Sequence, residues 1–281
     1  MSNNSQMIDT HQHLWIISER EYSWLKPEYG VIYDDFGPEL IEPQLAPAGV
    51  TGTVMVQSAD TYADTFYMLD VAAKHKFVKG VVGWVPLNRP DEASAALDVL
   101  VKNPVFKGVR NLIHDYPDPK WILKPEVLEG IGHLASRNLV MDFVTVNTDH
   151  MSCLPVIAEK YPNLKIVIDH LSKPGIKNKD WEPWASDMAK AAKYPNIYAK
   201  ISGLNTASDS NWSFKDWIPY VDHVVSIFGS NRVMLGGDWP VILLANDYQT
   251  VWKAQKDAIS HFSPEQQEDI KYRTATKFYS L

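Results

Sequence analysis

The sequence predicts an α/β protein, a single-domain (β/α)8 TIM barrel, and three observations predict it. Eight short apolar runs are spread along the 281 residues. Most are near-continuous Val, Ile and Leu stretches without polar alternation, which is how parallel strands covered on both faces read. Helical patterns lie between most of them, and strand–helix alternation repeated in this way builds a barrel. No linker rich in Gly, Ser or Pro, no repeat and no charge block divides the chain, and α/β barrels of this size are routinely one domain. Residues 1–281 therefore read as one unit, with a polar tail over residues 1–6 and a barrel over residues 7–281.

The elements follow in order. The first strand is expected over Met7–His11. The loop after it, from about Leu14 to Gly37, carries Tyr22, Trp24, Tyr29, Tyr33 and Phe36. A long aromatic loop at the C-terminal face of a barrel covers an active site. The second strand, Thr53–Gln57, precedes a helix over Asp64–Lys76 with apolar Phe66, Leu69, Val71 and Ala72. The third, Gly80–Val85, precedes a helix over Asp91–Lys102, which opens on an acidic turn after Pro90 and stripes Ala95, Leu97, Val99 and Leu100. The fourth strand, Lys107–Asn111, leads to a helix over Pro125–Arg137 that begins on proline, as first turns do. Strands over Leu139–Thr145, Lys165–His170 and Asn196–Ser202 alternate with helices over Leu154–Tyr161, Glu182–Tyr194 and Phe214–Phe228. The eighth strand, Arg232–Asp238, is followed by helices over Tyr248–Phe262 and Pro264–Phe278.

Composition narrows the class. A hydrophobic fraction of 45% supplies a large core, and a net charge of −7 argues against a nucleic-acid surface. The one cysteine, Cys153, excludes an internal disulfide framework, fits a reducing compartment and reads as a small buried hydrophobe. The first residues show no secretory pattern, and no apolar run reaches membrane-spanning length. The expectation is a cytoplasmic protein without membrane or nucleic-acid partners; a homo-oligomer is left open.

In a barrel, chemistry sits at the C-terminal strand ends. His11 and His13, two residues apart, project the same way from a strand. Two such imidazoles bind one metal ion or polarise one carbonyl, or they are simply polar residues at a strand end. The other strand ends carry Gln57, Trp84, Arg110 with His114 beyond it, Asp169-His170, Lys200 with Ser202, and Asp238. Chance explains one or two of these but not the set. Asp169 is expected on the opposite face from His170 if the strand stays regular.

At this point the motifs carry a resemblance. Ile8-Asp9-Thr10-His11-Gln12-His13-Leu14-Trp15, Lys107-Gly108-Val109-Arg110, Val167-Ile168-Asp169-His170, Lys200-Ile201-Ser202-Gly203-Leu204 and Gly236-Gly237-Asp238-Trp239-Pro240 resemble, in order, the amidohydrolase-related sugar lactonases, the L-fuconolactonase and L-rhamnonolactonase relatives. Gly49-Val50-Thr51-Gly52-Thr53-Val54-Met55-Val56-Gln57 and Gly83-Trp84-Val85 extend it. The resemblance implies an amidohydrolase-like barrel that opens a sugar-acid lactone with water. It also implies at most one metal ion. Two-metal relatives use a bridging lysine or carboxylate and histidines from middle strands, and here only His170 ends a middle strand. His75, His133, His150, His223 and His261 fall in helices or loops and read as surface or capping residues.

Lactone hydrolysis needs a base for water, a clamp on the carbonyl and help for the departing ring oxygen. Asp238 is the candidate base; its structural alternative is a salt bridge to Arg110 or Lys200. His11, His13 and His170 are expected to polarise the carbonyl, directly or through one divalent ion held with Asp238, zinc being the first choice; catalysis without metal also fits. Arg110, Lys200, His114, Trp24, Gln57 and Trp84 are the expected substrate contacts, although Arg110 and Lys200 read equally as salt-bridge partners within the barrel and His114 stands where relatives often carry glutamine. Trp15, Trp24, Trp84, Trp121 and Trp239 are candidates for stacking on a sugar face. Two alternatives remain: a metal-dependent decarboxylase or amide hydrolase on the same scaffold, and a non-catalytic barrel that binds sugar acids.

Overall fold

A computed structural model describes residues 6–281, so residues 1–5 of the expected polar tail lie outside the described residues. The eight strands are β1 (Ile8–Gln12), β2 (Gly52–Val56), β3 (Val78–Gly83), β4 (Phe106–Val109), β5 (Val140–Phe143), β6 (Lys165–Ile168), β7 (Ile197–Ile201) and β8 (Val233–Leu235). They form one parallel sheet in sequential order, and the seven neighbour pairings from β1–β2 to β7–β8 are regular ladders with a few register shifts. Helices α1 (Pro38–Ala48), α2 (Tyr62–Lys74), α3 (Pro90–Leu100), α4 (Pro125–Ser136), α5 (Thr148–Lys160), α6 (Trp184–Ala192), α7 (Phe214–Phe228) and α8 (Tyr248–Ala258) surround the sheet. The last expected helix is a continuous helical run with a π-helical turn, α9 (Pro264–Glu268), Asp269–Arg273 and α10 (Thr274–Tyr279). Helix α1 was not among the expected helices; Pro43 and Pro47 lie inside it. It forms around the buried stripe Ile41, Leu45 and Ala48. None of the helices is long and apolar enough to cross a membrane among the described residues.

Two apolar clusters build the core. The larger lies between sheet and helices and takes in Cys153, fully buried as expected. The smaller holds Ile8, Val54, Val56, Val82, Val140, Val167, Tyr198 and Met234 against Phe278 and Tyr279 of α10. Successive strand residues point to opposite faces, so these positions mark the barrel interior. The C-terminal helix is therefore the plug of the barrel floor.

The seam between β8 and β1 is closed differently. Strand β8 has three residues and no ladder to β1; an isolated parallel bridge joins Gln12 and Trp239. The Asp238 N–H donates to the His11 carbonyl at 2.6 Å and the His13 N–H to the Trp239 carbonyl at 2.7 Å. Asp9 does the rest: Oδ1 accepts from the Gly237 N–H (2.7 Å) and the His11 N–H (3.0 Å), and Oδ2 from the Tyr248 hydroxyl (3.1 Å). The approach demands glycine. A Cβ on Gly236 would sit 2.7 Å from the His11 Cβ, and one on Gly237 would sit 2.6 Å from Asp9 Oδ2.

Asp9→Ala leaves three buried donors without acceptors, each worth about 1–3 kcal/mol. The variant is expected to lose on the order of 3 kcal/mol in urea denaturation. A loss of only a few tenths would show that the seam is held elsewhere.

Candidate active site

The strands stop where the polar groups begin. β4 ends before Arg110, β6 before Asp169 and β8 three residues before Asp238. Above the apolar floor lies a fully buried charged layer. Asp142 follows interior Val140 by two residues, and Lys200 follows interior Tyr198 by two, so both point inward. Lys200 Nζ is bonded to Asp142, lies 3.2 Å from Asp169 Oδ1 and 3.0 Å from His11 Nδ1. The Tyr279 hydroxyl donates to Asp142 Oδ1 at 2.9 Å. Arg110 Nη1 reaches Asp169 Oδ2 and His11 Nε2, each at 3.2 Å, and its Nη2 donates to the Gln57 carbonyl.

Above this layer stand His13, His170 and Asp238 on the wall of a cavity of about 530 Å³. His13 Nδ1 lies 2.7 Å from the Val56 carbonyl, which only accepts. That assigns its proton to Nδ1 and leaves Nε2 with a lone pair, 3.1 Å from His11 Nε2 and 3.5 Å from Asp238 Oδ1. His170 Nδ1 is 2.8 Å from Ser202 Oγ and 3.9 Å from Asp238 Oδ2.

The expectation that Asp169 and His170 face opposite ways is corrected. Asp169 continues the inward face of β6 from Val167, two residues earlier. His170 joins it because the chain leaves the strand through four consecutive left-handed residues, His170 (φ 53°), Leu171 (48°), Ser172 (59°) and Lys173 (48°). This backbone costs roughly 1–2 kcal/mol at each such residue. Interlocking contacts hold it: Ser202 on His170, the Trp184 indole N–H on the Leu171 carbonyl (2.6 Å), and Thr145 Oγ1 on Ser172 Oγ.

Charge follows the layers. Burial opposes ionisation of Asp238, but His170, His13 and His11 outweigh it and hold the carboxyl well below the usual range. Burial pushes His170 down to about 4 and lowers His11 and His13 as well. At neutral pH an anionic Asp238 thus stands among neutral imidazoles. Asp142 and Asp169 share Lys200 but divide unequally. Burial pushes Asp142 up to about 6, whereas Lys200, His11 and Arg110 overcome burial at Asp169 and keep it anionic.

Several expected substrate contacts move. Lys200 has no exposed surface and lies beneath His11, so it supports the site instead of touching the cavity. Gln57 is likewise buried, its amide on Asp60 and the Arg110 carbonyl. Trp84 packs edge-on against Tyr62, away from the cavity lining. Arg110, His114 and Trp24 do line the cavity. Of the five tryptophans considered for stacking only Trp24 does so; Trp15 and Trp239 are buried around Phe36, Trp121 packs on Tyr116, and Tyr29 supplies a second cavity aromatic. His150 is buried at the start of α5 instead of on the surface. The salt bridge considered for Asp238 is absent among the described residues: Arg110 and Lys200 pair with Asp169 and Asp142 instead. Residues that the sequence reading passed over are Asp142, Lys173 and Asp115; the i+2 step from Val140 would have found the first.

The donor set fits one divalent ion. Zinc held at about 2.0–2.1 Å in a tetrahedron places its ligand nitrogens roughly 3.3 Å apart. His11 Nε2 and His13 Nε2 are 3.1 Å apart, and Asp238 Oδ1 stands 3.9 and 3.5 Å from them. The hydrogen bond from His13 Nδ1 to a carbonyl is the support that a metal-binding histidine takes. A second grouping, His11, Asp169 and His170, shares His11, and its carboxylate is already engaged by Lys200 and Arg110.

The barrel brings a carboxylate, three imidazoles and an arginine together at its C-terminal face, and the family match and the named relatives make it a hydrolase. A family model described as Amidohydrolase matches residues 8–281, and the chain belongs to that family, in the branch that holds the sugar lactonases. It is 40% identical over 241 residues to an L-fucono-1,5-lactonase of Burkholderia ambifaria, covering 86% of this chain and 82% of the relative. It is 25% identical over 288 residues to an L-fucono-1,5-lactonase of Burkholderia multivorans, covering 98% and 96%. A solved amidohydrolase structure from Burkholderia multivorans with bound zinc superposes with a TM-score of 0.89 at 24% identity, covering 98% of this chain and 99% of that one, and so has the same fold.

The pH dependence of stability tests the charge assignment. Folded His170 refuses a proton until about pH 4, whereas an unfolded histidine takes one near 6.5. The unfolded state binds more protons in that window, so His170 makes stability fall as pH drops from about 6.5 to 4. Asp9 and Asp64, both raised by burial to about 7, pull the other way, so the readout is a difference. Metal-free wild type is expected to lose about 3 kcal/mol relative to His170→Gln across this window. Parallel curves would show that His170 titrates normally.

Proposed function

We propose that this chain hydrolyses a sugar-acid lactone to the free acid, with the 1,5-lactone of a six-carbon deoxy sugar acid as the first substrate to test. The observation that carries the reading is Asp238: an anionic carboxylate on the cavity wall, flanked by His11, His13 and His170, with no lysine or arginine neutralising it. The name of the 40%-identical relative supports the substrate class.

The residues divide the work. Water beside Asp238 is aligned by its carboxylate and gives up a proton as the oxygen attacks the lactone carbonyl. Arg110, at the base of the cavity, offers its guanidinium to the developing oxyanion. His170, with Nδ1 accepting from the Ser202 hydroxyl, carries its proton on the other ring nitrogen and gives it to the ring oxygen as the acyl–oxygen bond breaks, and the proton that Asp238 took from water then restores His170. Trp24 and Tyr29 flank the ring on the cavity wall. His11, His13 and Asp238 are the residues that would hold a divalent ion, and when bound it would supply Lewis-acid polarisation of the carbonyl.

Asp238→Asn keeps the shape and a hydrogen bond but cannot take a proton from water. It is expected to lose about 100- to 10,000-fold in kcat on the lactone. Its melting temperature should stay close to wild type, since no buried cation is left unpaired. Near-wild-type turnover in the folded variant would remove Asp238 from the mechanism.

Elemental analysis gives a second check. Purified protein is expected to bind no more than one equivalent of zinc per chain, since both donor groupings compete for His11. Two equivalents inside the barrel would overturn this.

A further inference from the structure

The left-handed run at His170–Lys173 delivers more than a histidine. The Lys173 N–H closes the turn onto the His170 carbonyl at 2.8 Å, so residues three apart come to the same side. Leu171 and Ser172 are buried, Leu171 in the core and Ser172 against Thr145, while His170 and Lys173 both line the cavity. Side-chain-bearing residues avoid this conformation, and here its product is an ammonium at the cavity wall. That ammonium has no hydrogen-bond or ion-pair partner among the described residues, yet its charge is felt at His114, Asp115 and His170.

The same side of the mouth holds His114 and Asp115, from the loop after β4, and both line the cavity. In sequential strand order β4 lies half a turn from β8, so these two face Asp238 across the cavity. Their nearest mutual approach is 3.7 Å, between His114 Nε2 and Asp115 Oδ1, and His114 is held neutral, since burial pushes it down to about 3. The far wall therefore offers a donor in Lys173, a carboxylate acceptor in Asp115 and a neutral imidazole. It carries no nucleophile and no base paired to the water side. A cation and an anion left apart at one wall, close to an imidazole, suit vicinal hydroxyls, each of which both donates and accepts.

We propose that Lys173 and Asp115, with His114, form a subsite that reads the hydroxyl groups of the substrate ring, and that the left-handed turn is retained because it places Lys173 there. This rests on the lactonase reading above. It makes the enzyme selective for polyhydroxylated lactones over bare rings, because a site built to bond hydroxyls rejects an analogue that lacks them.

The test compares an aldono-1,5-lactone with δ-valerolactone, the same ring without hydroxyls, in wild type, Lys173→Met and Asp115→Asn. Both side chains are exposed at the rim and support no core contact, so melting temperatures should match wild type. The ratio of kcat/KM for the hydroxylated over the bare lactone is expected to fall about 10-fold or more in each variant, as loss of a hydrogen bond to a charged group implies. It should recover in part in Lys173→Arg. An unmoved ratio, or equal losses on both lactones, overturns the subsite. Wild type inert on both lactones instead sinks the lactonase reading itself.

Discussion

One buried carboxylate organises the functional end of this barrel. Asp169 receives Lys200 from β7, Arg110 from the end of β4 and His11 from β1, all within 3.3 Å. None of the four side chains has more than 4% of its surface exposed. Charges taken so far from water are tolerable only when each has partners, and removing one partner leaves another stranded at a cost of about 3–5 kcal/mol. The layer therefore stands or falls together, and it fixes where His11 can be. His13 and Asp238 are built on His11, through the 3.1 Å ring contact and through the seam bond from the Asp238 N–H to the His11 carbonyl. The catalytic wall is thus the upper surface of an ionic layer that rests on an apolar floor plugged by α10.

The same layer explains an imbalance in basicity. A general base works best with a pKa near the working pH, yet the histidines around Asp238 hold it far below that. Two features compensate. The cavity admits water to an already ionised carboxylate, so no population of the enzyme is lost to the wrong protonation state. The neighbouring imidazoles are neutral, so a proton arriving on Asp238 has an adjacent lone pair, His13 Nε2, at 3.5 Å. Beneath them Lys200 pairs with Asp142 and Arg110 with Asp169.

What the sequence made legible follows from where regular structure ends. All eight strands were readable, most of them because near-continuous Val, Ile and Leu runs without polar alternation read as strands covered on both faces. Helix α1 was passed over; it carries two interior prolines, Pro43 and Pro47, and tertiary burial of Ile41 and Leu45 holds it. Strand ends pointed to His11, His13, Arg110, His170 and Asp238 as neighbours. The depth of each was hidden. Lys200 and His170 look alike as polar strand ends, but Lys200 sits on the interior face one step below the rim and is sealed by His11. His170 sits two residues beyond the end of its strand at Ile168, where only the left-handed turn brings it back inward.

That turn shows why alternation fails at a barrel mouth. Period-2 reasoning holds while ladder hydrogen bonds fix the pleat, and β6 makes its last ladder contact at Ile168. Beyond that point the backbone is set by whichever side chains can hold it: Trp184 on the Leu171 carbonyl, Thr145 on Ser172 and Ser202 on His170. These come from three other segments, far apart in sequence, and no local pattern announces them. The positions that carry specificity are therefore those where the strand has ended and long-range contacts have taken over the backbone. On the proposed reading these are Lys173 and Asp115 beside His114; of the three only His114 was legible, because it closely follows the motif that ends on Arg110.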